Sequence, residues 1–104
     1  MRILFLGDVV GKSGCTSIKK NLQNIIKQKN IDFVIVNGEN AAEEGVGISE
    51  KISNELFSYG VDVITTGNHV WDLKETAQYI TQENKLLRPF NLPSATPGEG
   101  FRIY

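Results

Sequence analysis

The 104-residue chain has one cysteine, Cys15, and therefore no internal disulfide. A fold stapled by disulfides for secretion is excluded, and a reducing, cytoplasmic setting is expected. An excess of charge is missing too: eleven basic residues face twelve acidic ones, for a formal charge of −1. No global field draws the chain to nucleic acid or to an anionic membrane, so neither is expected as a partner. Nor does any apolar run approach the roughly 18 residues that span a bilayer. Met1–Leu6 is shorter than a signal-peptide core, and Gly7-Asp8 follow at once. Low-complexity tracts and dividing linkers are absent, and the composition, 40% hydrophobic and 22% charged, is that of one small domain.

The periodicities that are present come in cycles. Ile3–Leu6 is an apolar run closed by Gly7, and Ile18, Leu22, Ile25 and Ile26 follow at helical spacing. Phe33-Val34-Ile35-Val36 is a second run, closed by Gly38, with Ile48, Ile52, Leu56 and Tyr59 on one helical stripe after it. Val61–Ile64, closed by Gly67, leads into Leu73, Ala77 and Ile80, where Asp72 and Glu75 form a capping box for a third helix. The closing glycines are 31 and 29 residues apart, the length of a strand-helix unit. Three such cycles predict an α/β fold of parallel strands joined by right-handed crossover helices. A loop-rich exit with Pro89, Pro93 and Pro97 follows, and Phe101–Tyr104 alternates like the start of another strand. That last pattern predicts a chain truncated relative to a complete domain.

Each predicted strand ends in glycine followed directly by polar side chains: Gly7-Asp8, Gly38-Glu39-Asn40 and Gly67-Asn68-His69. Parallel strands bring these ends to one edge of the sheet, where open α/β sheets bind their ligands. Glycine there is expected to let the backbone turn sharply. The collected set is two carboxylates, two carboxamides and the only imidazole of the chain, donors suited to iron, manganese or zinc. Singly, Asp8, Glu39-Asn40 and Asn68 each read as ordinary turn or capping residues. Three turns that each place such a residue directly after glycine favour a metal site.

Competing motifs fit less well. Gly7-Asp8-Val9-Val10-Gly11-Lys12-Ser13 has three residues between its glycines where a P-loop needs four, and Asp8 puts a carboxylate where backbone should wrap an anion. The dinucleotide fingerprint G-x-G-x-x-G is absent from the first turn. Cys15, at the start of the first helix and without a partner nearby in sequence, reads as structural. Residues 1–30 carry six basic side chains and one acid, and residues 31–62 seven acids and one base, an asymmetry that reads as solvated helix faces.

Met1-Arg2-Ile3-Leu4-Phe5-Leu6-Gly7-Asp8-Val9-Val10-Gly11, Asn37-Gly38-Glu39-Asn40-Ala41-Ala42, Gly67-Asn68-His69-Val70-Trp71-Asp72 and Arg88-Pro89-Phe90-Asn91-Leu92-Pro93 together resemble the YmdB-like family of bacterial metallophosphoesterases. The resemblance runs from end to end. It implies that residues 1–104 are the amino-terminal portion of a single calcineurin-like metallophosphoesterase domain. It further implies a centre of two metal ions, commonly iron or manganese, and phosphodiesterase action on small phosphodiesters, usually 2′,3′-cyclic nucleotides. On this resemblance Asp8 is a ligand of one metal, Glu39 bridges both and Asn68 binds the second. Asn40 and His69 face the phosphate, with His69 as general acid.

Val10 stands where the wider superfamily has a histidine, an absence shared by the YmdB-like pattern. Glu43-Glu44, in the glycine-bearing loop before Gly45 and Gly47, departs from the pattern where local substrate contacts would fall. The family also draws metal-binding histidines from a later half of its domain, so the centre would be completed by residues beyond this chain. The alternative expectation is a non-catalytic α/β fragment or binding module without a complete metal site. A homo-oligomer is left open.

Overall fold

A computed structural model describes residues 1–104. Its core is a four-stranded, all-parallel sheet in the order β1-β2-β3-β4, with β1 at Ile3–Leu6, β2 at Phe33–Asn37, β3 at Val63–Thr65 and β4 at Leu86–Leu87. The expected parallel α/β architecture is therefore the one adopted. Leu6 pairs in register with Val36, and Asn37 with Thr65, so the strands end close together. The longest helix, α1 (Gly11–Lys29), crosses from β1 to β2, and α2 (Glu50–Ser58) crosses from β2 to β3.

Alternation decides which face of the sheet is covered. Leu4 and Leu6 pack on a core built from Val34, Val36 and Ile64, with Leu22 of α1 and Leu56 of α2 against them. Their β1 neighbours on the opposite face, Ile3 and Phe5, are 56% and 58% exposed. Sequential strand order with right-handed crossovers explains this, because each helix then returns over the same face. On the other face the chain's end folds back, with Tyr104 against Phe33 at 5.9 Å between ring centroids and its hydroxyl donating to the Asn84 carbonyl. No helix is long and apolar enough to cross a membrane.

Helix ends follow local chemistry. The Ser49 hydroxyl caps α2 by accepting from the Ile52 amide at 3.2 Å, and α1 ends where Asn30 turns left-handed (φ 51°), after Lys27 and Lys29 have met the negative end of its dipole. Three expectations fail. The segment after β3 is no long helix opened by a capping box: it is a 3-10 turn at Asn68–Trp71 followed by one helical turn, α3, at Thr76–Tyr79. Glu75 makes no side-chain cap, and buried Thr76 pins the segment by donating its hydroxyl to the Ile48 carbonyl at 2.5 Å. Phe101–Tyr104 joins no ladder, and the fourth strand is Leu86–Leu87, too short to show a period in sequence.

Candidate functional site

Two of the three glycines that close the first three strands serve a different purpose from the one expected. None of Gly7, Gly38 and Gly67 has positive φ. Gly38 and Gly67 are needed for space instead. A Cβ on Gly38 would meet Ile64 at 2.9 Å and Ile48 at 3.1 Å, and one on Gly67 would overlap the Glu39 carboxylate. The left-handed residue is Asp8 itself, at φ 38°. A side chain held in that sparsely populated region is strained by about 1 kcal/mol or more, and such strain concentrates at functional positions.

Backbone hydrogen bonds tie the strand ends together. The Val9 amide donates to the Asn37 carbonyl at 3.0 Å, the Gly11 amide to Asn40 at 2.9 Å and the Gly38 amide to Thr65 at 2.9 Å. On this frame the polar side chains form two adjoining groups. In one, Asn40 Nδ2 donates to Asp8 Oδ1 at 2.8 Å. In the other, the Glu39 carboxylate lies against Gly67 and accepts, at 3.4 Å each, from Asn37 Nδ2 and from the His69 main-chain amide. Asn68 is exposed at the first position of the 3-10 turn.

Two observations bear on whether a cation suits these residues. Asn40 Oδ1 is buried without a hydrogen-bond partner, and its orientation is set by the Nδ2 bond to Asp8, since a flipped amide would turn oxygen toward carboxylate. A buried acceptor left unpaired costs about 1–3 kcal/mol unless something satisfies it. Secondly, the three ion pairs of the chain involve Asp32, Asp72 and Glu99, so Asp8 and Glu39 have no cationic side chain beside them. Carboxylates without a cationic partner, next to an orphaned carbonyl oxygen, make an edge rich in oxygen acceptors of the kind hard cations favour. The residues fit a metal as part of a ligand set. No three His, Cys, Asp or Glu side chains gather closely enough to hold one by themselves.

Asp72, expected to cap a third helix, lies instead beside the imidazole. Its Oδ2 lies 2.7 Å from His69 Nδ1, so its carboxylate serves the imidazole rather than a helix terminus. The spacing of three residues was visible, but only the 3-10 turn brings the two side chains to one side. Cys15 keeps its structural reading: its thiol donates to the Ala41 carbonyl at 3.4 Å, and burial, then Glu55, push its pKa up. A surface cavity of about 740 Å³ between Arg88, Phe90, Phe101 and Arg102 shares no residue with the strand-end groups. A smaller groove of about 250 Å³ borders Asp8 between Leu6 and α1.

The Gly67 contact gives a clean steric test. Gly67 lies at φ −138°, outside the left-handed region, so Gly67→Ala acts through the Glu39 carboxylate and not through φ strain. The variant is expected to keep its melting temperature within a few degrees while cation affinity falls about 10–100-fold, the usual cost of disturbing a ligand's surroundings. Calorimetric titration with manganese reads the second quantity, and unchanged affinity would remove Glu39 from any cation site.

Comparison with known proteins adds relatives. The family described as YmdB-like protein matches residues 4–104. The 2′,3′-cyclic-nucleotide 2′-phosphodiesterase of Bacillus subtilis (strain 168) is 47% identical over 100 residues, which are 96% of this chain and 38% of that protein. Among solved structures, a hypothetical protein from Thermus thermophilus superposes with a TM-score of 0.88 at 40% identity, covering 98% of this chain and 39% of the other. A novel phosphatase from Mycoplasma pneumoniae superposes with a TM-score of 0.87 at 38% identity, covering 98% and 38%. The chain thus spans about two fifths of the length of the proteins it matches.

Proposed function

The chain belongs to the YmdB-like family, and on that premise we propose that it is the amino-terminal portion of a metal-dependent phosphodiesterase, its centre completed by residues beyond these 104. The substrate class is a small phosphodiester of the 2′,3′-cyclic nucleotide type, the class named for the Bacillus subtilis relative. The observation that carries this reading is the meeting, at one edge of the sheet, of Asp8 with Asn40 and of Glu39 with the His69 amide.

In this reading Asp8, Glu39 and Asn68 hold two metal ions, iron or manganese. When bound, the metals supply positive charge that offsets the charge developing on the phosphoryl group. The protein's own residues do the rest. Asn40 spends one Nδ2 hydrogen on Asp8, which fixes that carboxylate, and keeps the second for a phosphate oxygen. Gly67 leaves room for Glu39 at the junction of β2 and β3. His69, held by its amide on Glu39, gives a proton to the leaving oxygen as the ester bond breaks.

The test uses the intact protein. Purified protein is expected to carry iron or manganese, to lose hydrolysis of 2′,3′-cyclic nucleotides when stripped by a chelator, and to regain it on adding either metal back. Undiminished turnover by demonstrably metal-free protein would overturn the proposal.

A further inference from the structure

We infer that the cavity beside the end of β4 is a nucleobase subsite, in which Phe90 and Phe101 stack on the base of the substrate and Arg88 donates to its acceptor atoms. The inference rests on the reading of the chain as part of a cyclic-nucleotide phosphodiesterase, and it adds the residues that tell a nucleotide from another small phosphodiester.

Position comes first. β4 runs parallel to the other strands, so the loop that leaves Leu87 starts at the same edge of the sheet as the loops carrying Glu39 and Asn68. Leu87 pairs with Thr65 across one strand spacing, about 4.8 Å, and the Thr66 hydroxyl donates to the Leu87 carbonyl at 2.7 Å. The cavity is therefore a neighbour of the strand-end groups although it shares no residue with them. A base attached to a phosphate over Asn40 and His69 meets this cavity when it extends toward β4.

The walls suit a flat ligand with polar edges. The volume, about 740 Å³, lies in the range of small-molecule sites. Phe90 and Phe101 are 70% and 68% exposed, and two large apolar rings so placed mark a surface that binds something. They meet edge to face, with centroids 5.7 Å apart and planes at 76°, an arrangement that leaves ring faces open to a third aromatic group. Arg88 is half-buried and takes part in none of the chain's ion pairs. Its Nε donates to the Gly98 carbonyl at 3.2 Å and its Nη1 to the Pro89 carbonyl at 2.9 Å, which fixes the guanidinium plane and leaves the rest of its five N–H groups for a ligand. Arg102 is already paired with Glu99 at 3.1 Å, so Arg88 carries the uncompensated charge of the cavity.

The cavity is also pre-formed. The Arg88 amide donates to the Glu99 carbonyl at 2.9 Å, and a Cβ on Gly100 would meet the Phe90 Cα at 2.7 Å and Arg88 Nη1 at 3.1 Å. Rings carried on two loops pressed together in this way lose little freedom on binding. Every base has a face to stack, so the site selects for the presence of a base rather than for one base over another.

The experiment uses the intact protein. With metal removed, adenosine is expected to shift the ring resonances of both phenylalanines, each assigned by its loss in Phe90→Leu or Phe101→Leu. Leucine keeps the apolar bulk and removes the stacking face. With metal bound, the preference for adenosine 2′,3′-cyclic phosphate over a ribose 2′,3′-cyclic phosphate that carries no base is read as the ratio of their kcat/KM values. It is expected to fall about 5–100-fold in each leucine variant, the worth of one base stack, and to be kept in Phe90→Trp. A cavity filled by the remainder of the protein would leave both rings unmoved by adenosine, and that result overturns the inference, as does a preference unchanged in both leucine variants. If the protein hydrolyses neither ester while adenosine still shifts both rings, the phosphodiesterase reading fails and the subsite stands.

Discussion

Replacing Glu39 with glutamine in the intact protein is expected to lower metal content and to reduce cyclic-phosphodiester turnover by at least about 10²-fold, because several kcal/mol of electrostatic stabilisation is lost and each 1.4 kcal/mol is tenfold in rate. Glutamine has nearly the size of glutamate, so the room left by Gly67 still admits it. Two things change. The negative charge that attracts a cation disappears, and one end of the group becomes a donor. Both present partners of the carboxylate, Asn37 Nδ2 and the His69 amide, are donors as well. One of them must then face the new NH₂ group, an unmade hydrogen bond of about 1–3 kcal/mol. The fold is expected to survive, since Glu39 is not one of the buried core residues. Elemental analysis, turnover and thermal unfolding measured on the same preparation separate the effects. Parent-like metal stoichiometry and rate would exclude Glu39 from the centre.

His69→Asn is expected to have the other large effect and to differ in kind. General-acid catalysis contributes roughly 10²–10⁴-fold, so a ribose ester, whose leaving alkoxide needs a proton, should lose that much rate. An aryl phosphodiester with an acidic leaving group needs little protonation and should lose far less. Metal content should stay at the parental level, because the contact of residue 69 with Glu39 is made by its main-chain amide, which the substitution keeps. Equal losses on both substrates would make His69 a phosphate-positioning group, and a fall in bound metal would make it a ligand.

These expectations draw on two kinds of information. Strand positions were legible because a buried parallel strand needs a run of apolar β-branched side chains, and Phe33–Val36 is nearly pure in that respect. The helices α1 and α2 were legible through their stripes, with Ile18, Leu22 and Leu56 all buried. The third helix was misjudged. Asp72 and Glu75 satisfy the capping-box spacing, yet Thr76 finds a stronger partner in the Ile48 carbonyl and the segment shortens to one turn. A long-range hydrogen bond of that kind leaves no trace in local spacing. The strand β4, at two residues, is likewise defined by pairing with β3 and not by its own pattern.

By itself the sequence determined the repeating order of apolar run, glycine, polar group and amphipathic stripe, and with it the parallel sheet and the three strand ends that carry Asp8, Glu39, Asn40, Asn68 and His69. Periodicity suffices for this because burial of a strand or a helix face is a one-dimensional constraint on side-chain polarity. Only the tertiary structure decided which of those groups meet. The contacts of Asn40 with Asp8 and of the His69 amide with Glu39 span 32 and 30 residues, and they depend on the registers that pair Leu6 with Val36 and Asn37 with Thr65. It also decided that Gly67 is required by the volume of the Glu39 carboxylate and that Asp72 turns to the imidazole. The physical reason is that excluded volume and hydrogen-bond geometry act between atoms brought together by the sheet, at distances that the order of residues along the chain does not encode.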